Sequence, residues 1–158
     1  MPHKKISRAL ISVSDKERIA DLARELADNG VEIIASDGTA AFLKDSGVEV
    51  KTVTEVTGSP ELLDGKVKTL HPLIHAALLA DQNNPQQVAE LKGVGPIDLL
   101  VINLYPTSGF DIGGPALTRA AAKNSEHVAV ITSPNQYHEL IDSLKLGTSL
   151  EQRRDWAI

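Results

Sequence analysis

Short apolar runs alternate with longer amphipathic stretches along the chain, and this alternation predicts strands separated by helices. Arg8–Val13 and Val31–Ala35 are short apolar runs, which are typical of buried strands. Between them, Lys16–Asn29 places apolar residues on one helical face, and Gly30 follows as a stop signal. The same patterns predict the remaining elements: a helix from the Ser36–Thr39 turn to Ser46, strands at Glu49–Thr54, Leu99–Asn103 and Val128–Ile131, and helices at Gln86–Lys92, Pro115–Asn124 and Gln136–Leu144.

Alternation of this kind predicts an α/β protein with three layers, in which a parallel sheet is flanked by helices on both faces. No internal repeat, low-complexity segment or Gly/Ser-rich linker divides the 158 residues, so we expect a single domain over residues 1–158. In open parallel sheets, ligands lie outside the carboxyl ends of the strands. The functional residues should therefore come directly after the apolar runs.

Composition narrows the classes of partner. The aromatic fraction is 3% and the formal net charge is -5, which argues against a nucleic-acid-binding surface. The absence of cysteine excludes disulfides and zinc–thiolate sites. No apolar run is long enough for a membrane helix and no signal-peptide core is visible, so we expect no membrane association and a cytoplasmic location.

Hydroxyl groups and glycines follow the predicted strands. Ser12–Lys16 comes after the first strand, and Ser36–Thr39 comes after the second and opens a helix. Such residues at a helix N-terminus form an anion site, because unpaired backbone N–H groups and the helix dipole face the ligand. The alternative is that Ser14 and Asp37 are simply helix caps.

Basic side chains fall within or beside the polar segments, although the chain as a whole is acidic. They are Lys16, Lys66, Lys68, Arg119 and Lys123. Several cations at one edge of the sheet would hold a phosphate, and the pKa of a crowded amine would fall toward a range useful for catalysis. The alternative is an ordinary solvated surface.

His71 and His75 are four residues apart, a spacing that two metal ligands on one helix can have. No glutamate accompanies them in a zinc-protease pattern, and Pro72 indicates that a helix begins at that point. We therefore expect no metal, and we expect His71 to orient the loop or the ligand.

Five segments resemble the IMP cyclohydrolase domain of the bifunctional AICAR transformylase/IMP cyclohydrolase family. They are Ser12–Lys16, Asp64–Pro72 (DGKVKTLHP), Asn103–Pro106 (NLYP), Asp111–Pro115 (DIGGP) and Arg119–Asn124 (RAAAKN). The resemblance runs in the family's order from Arg8 to Trp156. It implies a methylglyoxal synthase-like fold, a homodimer, and ring closure of the nucleotide FAICAR to IMP and water without a cofactor.

The resemblance also implies the roles of individual residues. The catalytic set matches Lys68, Tyr105, Asp111 and Lys123. The phosphate-binding positions match Ser12, Ser14, Lys16, Ser36, Gly38 and Thr39, and Val13 and Asp37 lie among them as further substrate-binding candidates. The base and ribose positions match Lys66, Val67, Thr69, Asn103, Leu104, Ile112, Gly113 and Gly114. On this basis Asp111 and Lys123 transfer protons, while Lys68 and Tyr105 stabilise the oxyanion that develops on the formyl group.

Three departures from the family pattern keep alternatives open. The transformylase domain is absent, so a separate AICAR transformylase would be required. Thr107–Phe110 replaces a longer helical excursion, which predicts a more open pocket. Asp37 stands where the family commonly has glycine. We expect Asp37 to point away as a turn and cap residue before Gly38; otherwise the natural ligand lacks a phosphate.

Two other functions are compatible with these departures. The chain could be a nucleotide-binding sensor without turnover, as are related allosteric domains. It could also be a cyclase for a different purine-like nucleotide. A sensor needs only the phosphate loop, so the joint presence of the four catalytic residue types favours the enzyme.

Overall fold

The central feature is a parallel sheet of five strands in the order β3-β2-β1-β4-β5. A computed structural model describes residues 3–59, 69–91, 93–103 and 113–158. Within these ranges the strands are β1 (Arg8–Ser12), β2 (Glu32–Ala35), β3 (Lys51–Thr52), β4 (Leu99–Ile102) and β5 (Ala129–Ile131). All four strand pairs are parallel, as the alternation of elements predicts.

Helices connect the strands and cover both faces of the sheet. They are α1 (Ile19–Asp28), α2 (Asp37–Asp45), α3 (Val53–Thr57), α4 (Pro72–Leu79), α5 (Pro85–Ala89), α6 (Gly113–Lys123), α7 (Tyr137–Ser143) and α8 (Leu150–Trp156). No helix in the described ranges has the length and apolar character that crossing a membrane requires.

Side-chain alternation along β1 divides the interior into two cores. Ala9 and Ile11 face a core that also contains apolar residues of α1, α2 and α7. Leu10 faces the opposite core, to which α4 and α6 contribute. Because both faces are covered, β1, β2, β4 and β5 each contain apolar residues at successive positions rather than at alternate ones, and β4 is buried at all four residues. The prediction of three layers is confirmed.

The strand order reverses direction at the centre of the sheet. From β1, the chain adds β2 and then β3 on one side, and later adds β4 and β5 on the other. The loops after β1 and β4 therefore diverge to opposite sides and leave a crevice between them, where ligands bind in sheets of this type.

Segments near both ends of the chain meet beside the amino ends of the strands, opposite the crevice. Lys4 and Thr148 form an isolated antiparallel bridge, in which each backbone N–H donates to the other residue's carbonyl at 2.8 Å. Asp98 reinforces this region by accepting from the Lys4 ammonium at 2.9 Å and from the Ser7 N–H at 2.8 Å.

The structure corrects the boundaries of two predicted elements. The predicted strand Glu49–Thr54 is too long at both ends: β3 begins only at Lys51, and it stops at Thr52 because the Thr52 hydroxyl accepts the Glu55 N–H at 3.1 Å and begins α3. The predicted helix from Lys16 begins only at Ile19, since Arg18 is in the left-handed region at φ 57°.

The helix α3 was predicted in part as strand, and α8 was not predicted at all. It begins with a reciprocal capping box between Ser149 and Gln152, whose sequence signature is Ser-x-x-Gln. Part of one other prediction, Lys92 at the end of Gln86–Lys92, lies outside the described residues.

Candidate functional site

Asn103 follows β4 directly, and its side chain holds the loop that follows β1. The Asn103 Oδ1 accepts from the Ser14 N–H at 2.7 Å, the Ser14 hydroxyl at 2.8 Å and the Asp15 N–H at 3.0 Å. Its Nδ2 donates back to the Asp15 carbonyl at 3.3 Å. The two sides of the central crevice are thus joined by one carboxamide. Asn103 lies at the predicted edge, but here its amide contacts the loop.

Thr39 ties the first turn of α2 to the end of β1. Its hydroxyl accepts from the Val13 N–H at 3.1 Å and from the Ser36 hydroxyl at 3.3 Å, and donates to the Val13 carbonyl at 3.3 Å. Thr39 is only 1% exposed. A buried hydroxyl with these partners fixes the position of its neighbours, so Thr39 shapes the predicted phosphate loop from beneath.

The N-terminus of α2 lies at the carboxyl edge of the sheet. Ser36 occupies the N-cap position, and its side chain makes no capping hydrogen bond. Asp37 is the first helical residue, so the expectation that it caps the helix is wrong. Ser14 is not a cap either, because Arg18 holds that position for α1. Gly38 is exposed, with open space where a Cβ would lie.

Lys16 is folded back onto its own loop. Its ammonium donates to the Val13 carbonyl. Partial burial lowers the pKa of Lys16, and the nearby Asp15 carboxylate opposes that shift. The ammonium would have to leave the Val13 carbonyl in order to reach an anion beside α2.

Thr69 meets the first turn of α6. A Cβ added at Gly113 would lie 2.5 Å from the Thr69 Oγ1, so only glycine fits at this position without displacing its neighbour. Both residues are buried. Gly114 is buried too, and its carbonyl accepts from the Thr118 hydroxyl at 2.8 Å. The structure thus brings together two of the residues expected to line the base and ribose.

Lys123 is exposed and is the last residue of α6. An α-helix rises about 1.5 Å per residue, which puts Lys123 about 15 Å along the axis from Gly113. Asn124, its neighbour, donates to the carbonyls of Leu78 and Ala80 at the far end of α4. Within one chain, Lys123 therefore lies toward the opposite edge of the sheet from Ser14 and Gly113.

The two histidines on α4 have different environments. The Nδ1 of His71 accepts the Leu73 N–H at 3.1 Å and caps the helix, so that nitrogen is occupied. The Nε2 of His75 is buried and has no hydrogen-bond partner among the described residues.

Tyr137 is a buried residue of the core that also contains Val13, and the sequence did not suggest its position near the loop after β1. The residue is 3% exposed, and burial, reinforced by the nearby Asp15 carboxylate, raises its pKa to about 12. Its place at the start of α7, within a predicted amphipathic helix, was the only available signal.

Seven of the predicted site residues lie outside the described residues. They are the catalytic Lys68, Tyr105 and Asp111 and the substrate-binding Lys66, Val67, Leu104 and Ile112. The segment Thr107–Phe110 lies outside them as well. The described part of the site therefore consists of the loop after β1, the starts of α2 and α6, Thr69 and Asn103.

The strand order and the loops at the central crevice define an α/β protein with a five-stranded parallel sheet. Comparison with known proteins identifies its family. The model of the MGS-like domain family matches residues 18–146, and the chain belongs to that family. Among solved structures, one described as "Crystal structure of ForH" is 33% identical, with a TM-score of 0.86, and the match covers 97% of this chain and 90% of that one.

Curated relatives carry the description "Bifunctional purine biosynthesis protein PurH". Those of Jannaschia sp. (strain CCS1) and Persephonella marina are each 45% identical over 96% of this chain and 33% of their own length. That of Cereibacter sphaeroides is 47% identical over 89% of this chain and 30% of its own length. The chain thus spans about a third of the length of these relatives.

Proposed function

We propose that the chain is an IMP cyclohydrolase, which closes FAICAR to IMP with loss of water. The observation that carries the proposal is the carboxyl edge of the sheet, where the loops after β1 and β4 diverge and Asn103 holds Ser14 and Asp15 of the first loop. The similarity to purine-biosynthesis relatives supports this choice of nucleotide chemistry.

The start of α2 is the proposed phosphate site. The first N–H groups of a helix have no intrahelical partner, and its dipole favours an anion there. In this proposal Ser36 and Gly38 contact the phosphate, and the Thr39 hydroxyl, which is bonded to Ser36 and Val13, supports this turn from the buried side. Lys16 supplies the positive charge once it leaves the Val13 carbonyl.

The proposed reaction needs no second substrate. The carboxamide nitrogen attacks the formyl carbon of the same molecule, and a carbon–nitrogen bond forms. The carboxamide and formamido nitrogens each lose one proton, and the formyl oxygen leaves as water. Holding the two groups in a reactive pose can supply about 7–11 kcal/mol of the barrier. In our assignment, Asp111 transfers protons, and Lys68 and Tyr105 stabilise the oxyanion.

The position of Lys123 constrains its part in the reaction. A lysine side chain reaches far less than the roughly 15 Å that separate the two ends of α6. Within our proposal, Lys123 therefore contributes its side chain to the active site of a second copy in a homodimer. By symmetry, the Lys123 of that copy contributes to the first active site.

The test is a turnover assay with purified, chelator-treated protein and FAICAR, with neither folate nor metal added. We expect ultraviolet absorbance to report IMP at a rate well above the spontaneous one. Asp111→Asn should lower kcat by roughly 10²-fold, the usual scale for a positioned acid–base group. Asp28→Asn, which changes an exposed carboxylate at the end of α1, is the matched control.

Two outcomes would replace the proposal. Protein that binds IMP yet shows only the spontaneous rate would be a nucleotide sensor. Faster closure of the dephosphorylated nucleoside than of FAICAR would indicate a cyclase for another purine-like substrate. Asp37 favours the second alternative, because it places a carboxylate in the first turn of α2.

A further inference from the structure

A second cleft opens at the edge of the sheet opposite the candidate active site. Its volume is about 670 Å³, and its lining includes Lys4, which precedes β1, and His127, which precedes β5. Ser14 and Asn103 lie beyond the other ends of the strands. A five-residue strand spans about 17 Å, so within one chain the cleft is separate from the candidate active site.

Arg153 is a buried cation in the wall of this cleft. The residue is 5% exposed, and its Nε, Nη1 and Nη2 donate to the carbonyls of Ser125, Thr148 and Glu126 at 2.7–2.9 Å. Nη1 also donates to the Thr148 hydroxyl at 3.1 Å. Every one of these acceptors is a neutral oxygen. Because a guanidinium has five N–H groups, one on Nη2 is still available.

Burial lowers the pKa of Arg153, which shows that its charge is poorly solvated. A buried charge without a counter-charge is unfavourable, and an anion would offset it. In the described ranges, neither Arg153 nor its exposed neighbour Arg154 has an ion-pair partner.

Other polar groups around the cleft add hydrogen-bond donors. The Nε2 of Gln82 is buried and lacks a hydrogen-bond partner in the described structure. The Lys4 ammonium is already paired with Asp98 at 2.9 Å, and the Nε2 of His127 lies 3.3 Å from the Asp81 carboxylate. Among the lining residues, Glu126 alone carries a carboxylate, and it is exposed. The cleft thus has an excess of positive charge and donors in a chain of net charge -5.

We propose that this cleft binds the phosphate group of a small phosphorylated molecule, with Arg153 and Arg154 as its cations. Phosphate offers several acceptor oxygens with a geometry that arginine forks match. The cleft is much larger than a bare ion requires and falls within the range of small-molecule sites, so the rest of the ligand has room beside Leu150. This site does not depend on the proposed cyclohydrolase activity.

The experiment is a titration of the ¹⁵N-labelled protein with inorganic phosphate and, separately, with ribose 5-phosphate, followed by NMR. We expect amide shifts at residues 126–127 and 148–154 that saturate independently of those at 13–16 and 36–39. Ribose 5-phosphate should bind at the cleft at least about threefold more tightly than inorganic phosphate, because its carbon skeleton adds contacts.

Arg154→Ala is the decisive variant, because Arg153 also holds the backbone and its removal endangers the fold. Arg154→Ala should weaken binding at the cleft by about tenfold or more, the scale of a lost charge-assisted hydrogen bond. Lys145→Ala, which removes an exposed cation outside the cleft, should have no effect. Shifts confined to 13–16 and 36–39, or equal effects of the two variants, would overturn the site. Equal affinities for the two probes would restrict the ligand to the free ion and contradict the proposal.

Discussion

At the scale of the residue, Asn103 shows how one side chain can hold a loop at the carboxyl edge of the sheet. Its carboxamide makes four hydrogen bonds to Ser14 and Asp15 across the crevice. The sequence places Asn103 after a strand, but the pairing joins residues 89 positions apart. Contacts of that range have no local pattern, so only the position of Asn103 was predictable.

We predict that Asn103→Ala frees the loop after β1. Hydrogen exchange of the amides of residues 14 and 15 should accelerate by about tenfold or more, because both N–H groups lose their acceptor. Asn103→Asp retains the acceptor oxygens and should keep both amides protected. Asn29→Ala, which removes a single side-chain bond to the Glu25 carbonyl, is the matched control. Unchanged exchange in Asn103→Ala would show that the loop keeps its conformation without the Asn103 side chain.

Asp37 is the residue that bears most directly on the ligand. Its carboxylate lies in the first turn of α2, where the interaction with the helix dipole is favourable by about 0.3–1 kcal/mol. At 4 Å from a phosphate charge, however, the repulsion would cost about 4 kcal/mol at an effective dielectric of 20. We predict that Asp37→Asn, which retains the shape and removes the charge, changes IMP affinity less than tenfold in a calorimetric titration. A gain of a hundredfold would show that the carboxylate faces the phosphate, and the unphosphorylated nucleoside would then be the better substrate.

At the scale of the element, a close contact restricts which residue type can occupy the first turn of a helix. Gly113 opens α6 against Thr69, whose hydroxyl leaves no room for a Cβ. Gly38 in α2 has open space at the same position. A side chain is thus excluded sterically at Gly113 but not at Gly38, and the sequence alone does not distinguish the two glycines.

We predict that Gly113→Ala lowers the free energy of unfolding in urea by about 1–3 kcal/mol, the usual effect of overpacking. Combining it with Thr69→Ala removes the clashing hydroxyl, so the double variant should lose less than the sum of the single ones. Gly38→Ala should be neutral or stabilising by about 0.4–1 kcal/mol. Strict additivity at positions 69 and 113 would contradict the close contact.

Element prediction succeeded where one signal dominated and failed where two competed. The strands β1, β4 and β5 are continuous apolar runs buried on both faces, so they were predictable. β3 was predicted too long because the β-branched residues after Lys51 suit a strand, whereas the Thr52 hydroxyl starts a helix. In the candidate site, the buried hydrogen bonds of Thr39 to Val13 and Ser36 could not be predicted, because the sequence does not show which side a hydroxyl faces.

At the scale of the whole molecule, the proposed chemistry and the fold together require two copies. We predict that Asp111→Ala and Lys123→Ala are each nearly inactive alone. An equal mixture, after subunit exchange, should recover about a quarter of wild-type turnover, because half of the dimers are mixed and each has one intact site. Without recovery, Lys123 would not act across copies. Full activity of Lys123→Ala alone would remove it from the catalytic set.

The strand order also governs when the molecule can fold during its synthesis. β1 is made first, but one of its two neighbours is β4, which begins at Leu99. At 5–20 residues per second, the roughly sixty residues between β2 and β4 take on the order of 3–12 s to emerge. Throughout that interval an apolar strand has an unpaired edge, which is a template for aggregation. The nascent chain is therefore most exposed to aggregation before residue 99 leaves the ribosome, and slower translation of residues 36–98 should lower the yield of folded protein.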